Sequence, residues 1–214
     1  MSWLLSLFIL CGAAAAEPTR VVLLVGDSLT AGYGVDPDEA YPALLQRKID
    51  EARLPWRVVN AGVSGDTTAG GLRRMDWLLR QSVDLVVVGL GGNDGLRGIP
   101  PATTEKNLLG IIEKVRARSP NAHIVVAGMQ MPPNMGPEFR SEFAAVFPRV
   151  ASATQATLIP FLLEGVGGDP ALNLPDGIHP TPAGHVRIAE TVWQYLHPLL
   201  SPAPVKRGLP SEVR

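Results

Sequence analysis

Val83-Asp84-Leu85-Val86-Val87-Val88-Gly89-Leu90 is a nearly unbroken apolar run that stops at Gly91-Gly92-Asn93-Asp94-Gly95. A strand with one wet face alternates apolar and polar residues. A run without alternation is buried on both faces and needs a covering layer above and below. Val21-Val22-Leu23-Leu24-Val25 and His123-Ile124-Val125-Val126-Ala127 repeat the pattern, and Trp56–Asn60 and Thr157–Phe161 read as shorter strands. Helical spacing fills the intervals: Tyr41–Ala52, Thr67–Arg80, Ala102–Arg118, Pro137–Ala153 and Pro182–Leu199. Strand and helix alternate five times. That predicts one α/β domain of three layers, α/β/α, around a five-stranded parallel sheet.

The length of 214 residues suits one such domain with a sizeable core. Nineteen Lys+Arg against twenty Asp+Glu leave a net charge of −1, which gives no electrostatic footprint for a nucleic-acid partner or a membrane surface. Trp3–Leu10 is nearly all apolar, and Ala13–Ala16 supplies small residues of the Ala-x-Ala kind. This predicts a secretory signal over 1–16, with cleavage after Ala16. The run is too short to span a bilayer, so no stable membrane insertion is expected after cleavage. Cys11 is the sole cysteine, so cleavage would leave a chain with neither thiol nor disulfide. The expected organisation is a signal at 1–16, a domain at 17–200 and a disordered Pro-rich tail at 201–214. The expected location is periplasmic or secreted, and the expected state is a monomer.

Open parallel sheets build their sites at the carboxyl ends of the strands. Ser28 follows the first strand in Gly26-Asp27-Ser28, Gly65 follows the second, and Asn93 follows the third. Asp176 and His179 precede the final helix. Taken alone, Ser28 reads more readily as the cap of the helix after it. Taken together, these segments carry a nucleophile, a base, a carboxylate and oxyanion donors, the parts of a serine hydrolase.

Gly26-Asp27-Ser28-Leu29, then Gly65, then Gly91-Gly92-Asn93-Asp94, then Asp176-Gly177-Ile178-His179 resemble the four sequence blocks of the SGNH (GDSL) hydrolases. The wider phrases Gly26–Tyr33, Ser64–Thr67, Gly91–Arg97 and Asp176–Pro180 are similar to the bacterial periplasmic branch of acyl-CoA thioesterases, lysophospholipases and arylesterases. The resemblance runs from about Arg20 to Leu200. It implies a flavodoxin-like sheet, no cofactor and no metal. It implies a catalytic triad of Ser28, Asp176 and His179, and an oxyanion hole from the N–H groups of Ser28 and Gly65 and the amide of Asn93. The implied substrates are small esters and thioesters: aryl esters, short-to-medium acyl esters, acyl-CoA and lysophospholipids.

The segment Gln130-Met131-Pro132-Pro133-Asn134 carries no charge, so Met131, Pro132 and Pro133 are the candidate acyl pocket. Asp27 is expected to bind backbone near its turn, and Asp94 to cap its loop or the helix beyond. His123, His185 and His197 read as structural or solvent-facing. No Gly-x-Ser-x-Gly elbow occurs, which disfavours the α/β-hydrolase fold. Two other chemistries stay open at this level: an O-acetyl esterase acting on sugars, and a metallophosphoesterase.

Overall fold

The computed structural model describes residues 19–201. The expected signal at 1–16, with Cys11, and the expected tail at 201–214, apart from Ser201, lie outside the described residues. Five parallel strands form one sheet in the order β2-β1-β3-β4-β5: β1 Arg20–Gly26, β2 Trp56–Gly62, β3 Leu85–Gly89, β4 His123–Ala127 and β5 Thr157–Ile159. Among the described residues seven α-helices connect and cover them: α1 Ser28–Ala31, α2 Tyr41–Glu51, α3 Thr68–Leu78, α4 Gly92–Leu96, α5 Pro101–Arg118, α6 Pro137–Thr154 and α7 Pro182–Leu200. Right-handed crossovers put α2 and α7 against one another on one face, and α3, α5 and α6 in a row on the other. The three-layer arrangement expected from the strand runs is the one observed.

The core explains the unbroken runs. Leu23, Leu24, Leu85, Val86 and Val88 have no exposed surface, and each such side chain contributes roughly 1.5–3 kcal/mol by leaving water. β5 stops at Ile159, short of the expected Phe161, because Pro160 has no N–H to continue the ladder. β2 instead runs on to Gly62, two residues further than expected.

The chain moves one way from β1 to β2, then reverses to add β3, β4 and β5. The reversal lies between β1 and β3, which is where an open sheet has its crevice. Gly26 of β1 stands level with Gly62 of β2 and Gly89 of β3. α1 folds back over these strand ends. A Cβ at Gly26 would run into the Thr30 side chain, and one at Gly62 into the Ala31 backbone. Glycine there is what lets the helix carrying Ser28 sit directly on the sheet.

Beneath α1 runs a buried polar string. Thr30 Oγ1 and Tyr41 OH share a hydrogen bond of 2.8 Å, and the Tyr41 N–H donates to His185 Nδ1 at 3.2 Å. His185, on α7, has no exposed surface, and its Nε2 has no partner among the described residues. Burial pushes its pKa down from the usual 6.5 to about 4. Between those two values the unfolded chain binds a proton that the folded chain refuses. Stability from this group is therefore present above pH 6.5 and falls as pH drops toward 4. The slope is at most about 1.4 kcal/mol per pH unit. Denaturation midpoints at pH 7 and pH 5 should differ more for the wild type than for His185→Gln, which accepts the same N–H without titrating. Equal differences would remove His185 from the account.

Candidate active site

Asp27 leaves β1 and caps α1, its Oδ1 accepting the Leu29 N–H at 3.0 Å. Ser28 is thus the first residue of a short helix and not its cap. Its Oγ lies 3.0 Å from His179 Nε2, and His179 Nδ1 lies 2.6 Å from Asp176 Oδ2. Asp176 Oδ1 also accepts the N–H groups of Ile178 (2.9 Å) and His179 (3.0 Å). One carboxylate therefore shapes the loop and orients the ring. The His179 N–H, its imidazole and the Ile178 N–H together hold the Asp176 carboxyl down at about 2. An ionised carboxylate only accepts, so the ring proton sits on Nδ1, and Nε2 accepts from the serine. The loop is pinned from below. The Leu174 N–H donates to His179 O at 2.7 Å, and Asn173 Nδ2 donates to the carbonyls of Val166 and Asp169 at 2.6 and 2.8 Å.

The oxyanion candidates converge on the same strand ends. Gly65 sits in a tight turn with φ of 79°, a conformation that side chains rarely adopt. Neither the Ser28 N–H nor the Gly65 N–H has an acceptor among the described residues. Asn93 stands differently. Its Nδ2 donates to Asp66 O at 3.0 Å and to Asp27 Oδ2 at 3.4 Å, so both amide hydrogens already have partners.

Asp27 and Asp176 are carboxylates in opposite settings. Burial pushes Asp27 up to about 6, opposed by the Leu29 N–H and, more weakly, by the Asn93 amide. Asp94 departs from its expected role. It is fully buried, and its carboxylate reaches across to α3, accepting the Thr68 N–H at 2.8 Å and the Thr68 hydroxyl, with Thr104 Oγ1 at 3.4 Å. It fixes α4 against the helix that follows the Gly65 turn. His197 packs its ring on Trp193, and His123 is exposed at the start of β4.

Met131, Pro132 and Pro133 line a cleft of about 430 Å³ that opens on Ser28 and His179. Leu96, Phe161 and Leu163 line it too, and were not foreseen. Among the described residues, Asp27 and His179 are the only titratable side chains in its walls. Gly95 makes room for Met131, since a Cβ there would collide with the thioether. Among the described residues no three His, Cys, Asp or Glu side chains gather as a metal-binding group, and no helix is long and apolar enough to cross a membrane.

Residues 24–187 match the model of the GDSL-like lipase/acylhydrolase family. The chain belongs to this family. It is 44% identical over 201 residues to esterase TesA of Pseudomonas aeruginosa, covering 94% of this chain and 98% of that one. It is 39% identical to an arylesterase of Vibrio mimicus, covering 87% and 92% of the two chains. It is also 39% identical to thioesterase 1/protease 1/lysophospholipase L1 of Escherichia coli, covering 92% of each. A crystal structure of TesA superimposes with a TM-score of 0.81 at 45% identity, over 85% of this chain and all of that one. This GDSL-family member has the α/β fold of its relatives.

Sequence reasoning missed Arg74. Its Nε donates to Asp66 Oδ2 at 2.8 Å, Nη1 to Ala61 O at 2.6 Å and Nη2 to Gly26 O at 2.9 Å. One guanidinium thus ties the ends of β1 and β2 to the turn that holds Gly65. The available signal was its place in α3, on the inward stripe between Gly71 and Leu78. A lysine ammonium cannot present this planar fork. Arg74→Lys should lose roughly 1–3 kcal/mol of stability, through the lost charge-assisted bonds to the Asp66 carboxylate and Ala61 O, while Gly26 O keeps the Val63 N–H. Urea denaturation measures this, and an unchanged midpoint would mean that the three bonds do not hold the strand ends together.

Proposed function

We propose that this GDSL-family protein hydrolyses small carboxylic esters and thioesters through an acyl-enzyme on Ser28. The observation that carries the reading is the unbroken chain Ser28–His179–Asp176, at 3.0 and 2.6 Å, opening on an apolar cleft. The names of the relatives, an esterase, an arylesterase and a thioesterase/lysophospholipase, support the same class.

His179 takes the Ser28 proton as Oγ attacks the acyl carbon. The new positive charge on the imidazolium is met by Asp176, which stays ionised because three N–H groups hold it so. The carbonyl oxygen, now an anion, enters the space served by the N–H groups of Ser28 and Gly65. Asn93 joins them by giving up its longer bond, the 3.4 Å contact with Asp27, and keeping the 3.0 Å bond to Asp66 O as its anchor. The C–O or C–S bond to the leaving group then breaks, and its electron pair takes the proton from His179. Water repeats the sequence and frees the acid.

The apolar lining favours acyl chains and aryl groups over sugars or strongly anionic headgroups. All the groups come from one chain, which supports a monomer as the working unit. We further propose a periplasmic or secreted site of action, on the strength of the apolar Trp3–Leu10 run and the alanines after it.

Ser28→Ala should fold normally and lose about 10³-fold or more in turnover, with the oxyanion donors left in place. Asn93→Ala should lower kcat by roughly 10²- to 10³-fold with little change in KM. Steady-state kinetics on an aryl acetate separates these outcomes. A raised KM at normal kcat in Asn93→Ala would make that amide a ground-state contact.

A further inference from the structure

We propose that Tyr33 is the leaving-group platform of this site and selects esters of flat aromatic alcohols. The inference rests on the esterase reading above and adds the other half of the substrate to it.

Tyr33 lies just past α1, between Gly32 and Gly34, whose φ values are 81° and 80°. Its N–H donates to Ser28 O at 3.0 Å, so its backbone is fixed to the nucleophile's own residue. The ring sits on His179, with centroids 4.4 Å apart and planes inclined by 41°. Even so, the residue is 53% exposed. Its hydroxyl makes no hydrogen bond among the described residues, and Tyr33 contributes nothing to the lining of the apolar cleft. A large aromatic side chain is thus held against the imidazole with its free surface toward solvent.

The geometry of the reaction assigns that surface. In the tetrahedral intermediate the acyl carbon holds Ser28 Oγ, the oxyanion, the acyl chain and the departing oxygen. The first lies on α1, and the oxyanion lies between Ser28, Gly65 and Asn93. The acyl chain has the cleft beside Met131 and Leu163. The departing oxygen must lie within reach of His179 Nε2, because that nitrogen gives it a proton as the C–O bond breaks. A group attached to that oxygen therefore passes beside the imidazole. Tyr33 is the aromatic ring in contact with that imidazole. A flat ring on the departing oxygen can stack there in the offset or tilted arrangements that aromatic pairs prefer.

The alternative is that Tyr33 acts only by steadying His179. The two roles differ in the step they touch. The leaving group is present during acylation and gone during deacylation, whereas His179 works in both.

The test compares wild type, Tyr33→Phe and Tyr33→Leu on phenyl acetate and cyclohexyl acetate, which share an acyl group and a ring size. Leucine keeps apolar bulk without a flat π face. The phenyl-over-cyclohexyl selectivity in kcat/KM should fall about 3- to 10-fold in Tyr33→Leu, the range expected for losing one aromatic pair, and be retained in Tyr33→Phe. The loss should be confined to acylation. Pre-steady-state release of p-nitrophenol from p-nitrophenyl acetate should slow, while the rate at which the acetyl-enzyme is hydrolysed stays as in the wild type. Selectivity that does not move overturns the proposal. So does an equal fall for both esters accompanied by slower deacylation, which would assign Tyr33 to His179 alone. A wild type inert toward every ester would instead overturn the underlying reading of the site.

Discussion

The bonds of the Arg74 guanidinium hold the site's frame together. Ser28 and Gly65 come from different strand ends, and the proposed oxyanion hole needs their N–H groups a fixed distance apart. The in-sheet ladder aligns β1 with β2 but ends at Gly26 and Gly62. Past that level the Val63 N–H adds one bond to Gly26 O at 3.1 Å, and Arg74 reinforces it by holding Gly26 O, Ala61 O and the Asp66 carboxylate at once. Asp66 passes the constraint on, since its carbonyl anchors the Asn93 amide. Asp94 closes the frame from the other side by locking α4 to the start of α3. The Ser28 helix rests on this frame because glycines at the strand ends leave it room.

The two carboxylates nearest the chemistry show how setting divides identical groups. Asp176 is partly exposed and accepts three N–H bonds, so its charge is well supported and is available to an imidazolium. Asp27 is buried beside Asn93 and Ser28, and burial disfavours its charge there. A fully supported charge at Asp27 would oppose the proposed oxyanion. Burial raises its pKa to about 6, and its bond to the Leu29 N–H keeps the Ser28 helix capped.

Much of the molecule was legible in the chain. The unbroken runs at Val21–Val25 and Val83–Leu90 announced a sheet covered on both faces, and the polar residues after the strands announced the site. Ser28, Asp176 and His179 meet in space because the sheet's reversal and the α7 loop bring their segments to one edge. The rest was hidden for physical reasons. α1 and α4, at four and five residues, are too short to show a helical period, and α4 begins among glycines. The reach of Asp94 to Thr68 crosses between elements 26 residues apart, which no local pattern encodes. Arg74 carries a charge at a position where helical spacing asks for an apolar residue, and only the Asp66 carboxylate and the carbonyls of two strand ends make sense of it. Leu163 and Phe161 line the cleft from an irregular segment without periodicity.

The central claim is that Ser28 Oγ becomes covalently bonded during turnover. A p-nitrophenyl alkylphosphonate reacts at an activated serine and then stays, so the adduct can be located by intact mass and peptide mapping. One equivalent of p-nitrophenol should be released per chain, activity should fall in step with it, and the phosphonyl mass should lie on the peptide containing Ser28. An adduct on Ser64 or another side chain, or full activity in a protein modified at Ser28, would contradict the account.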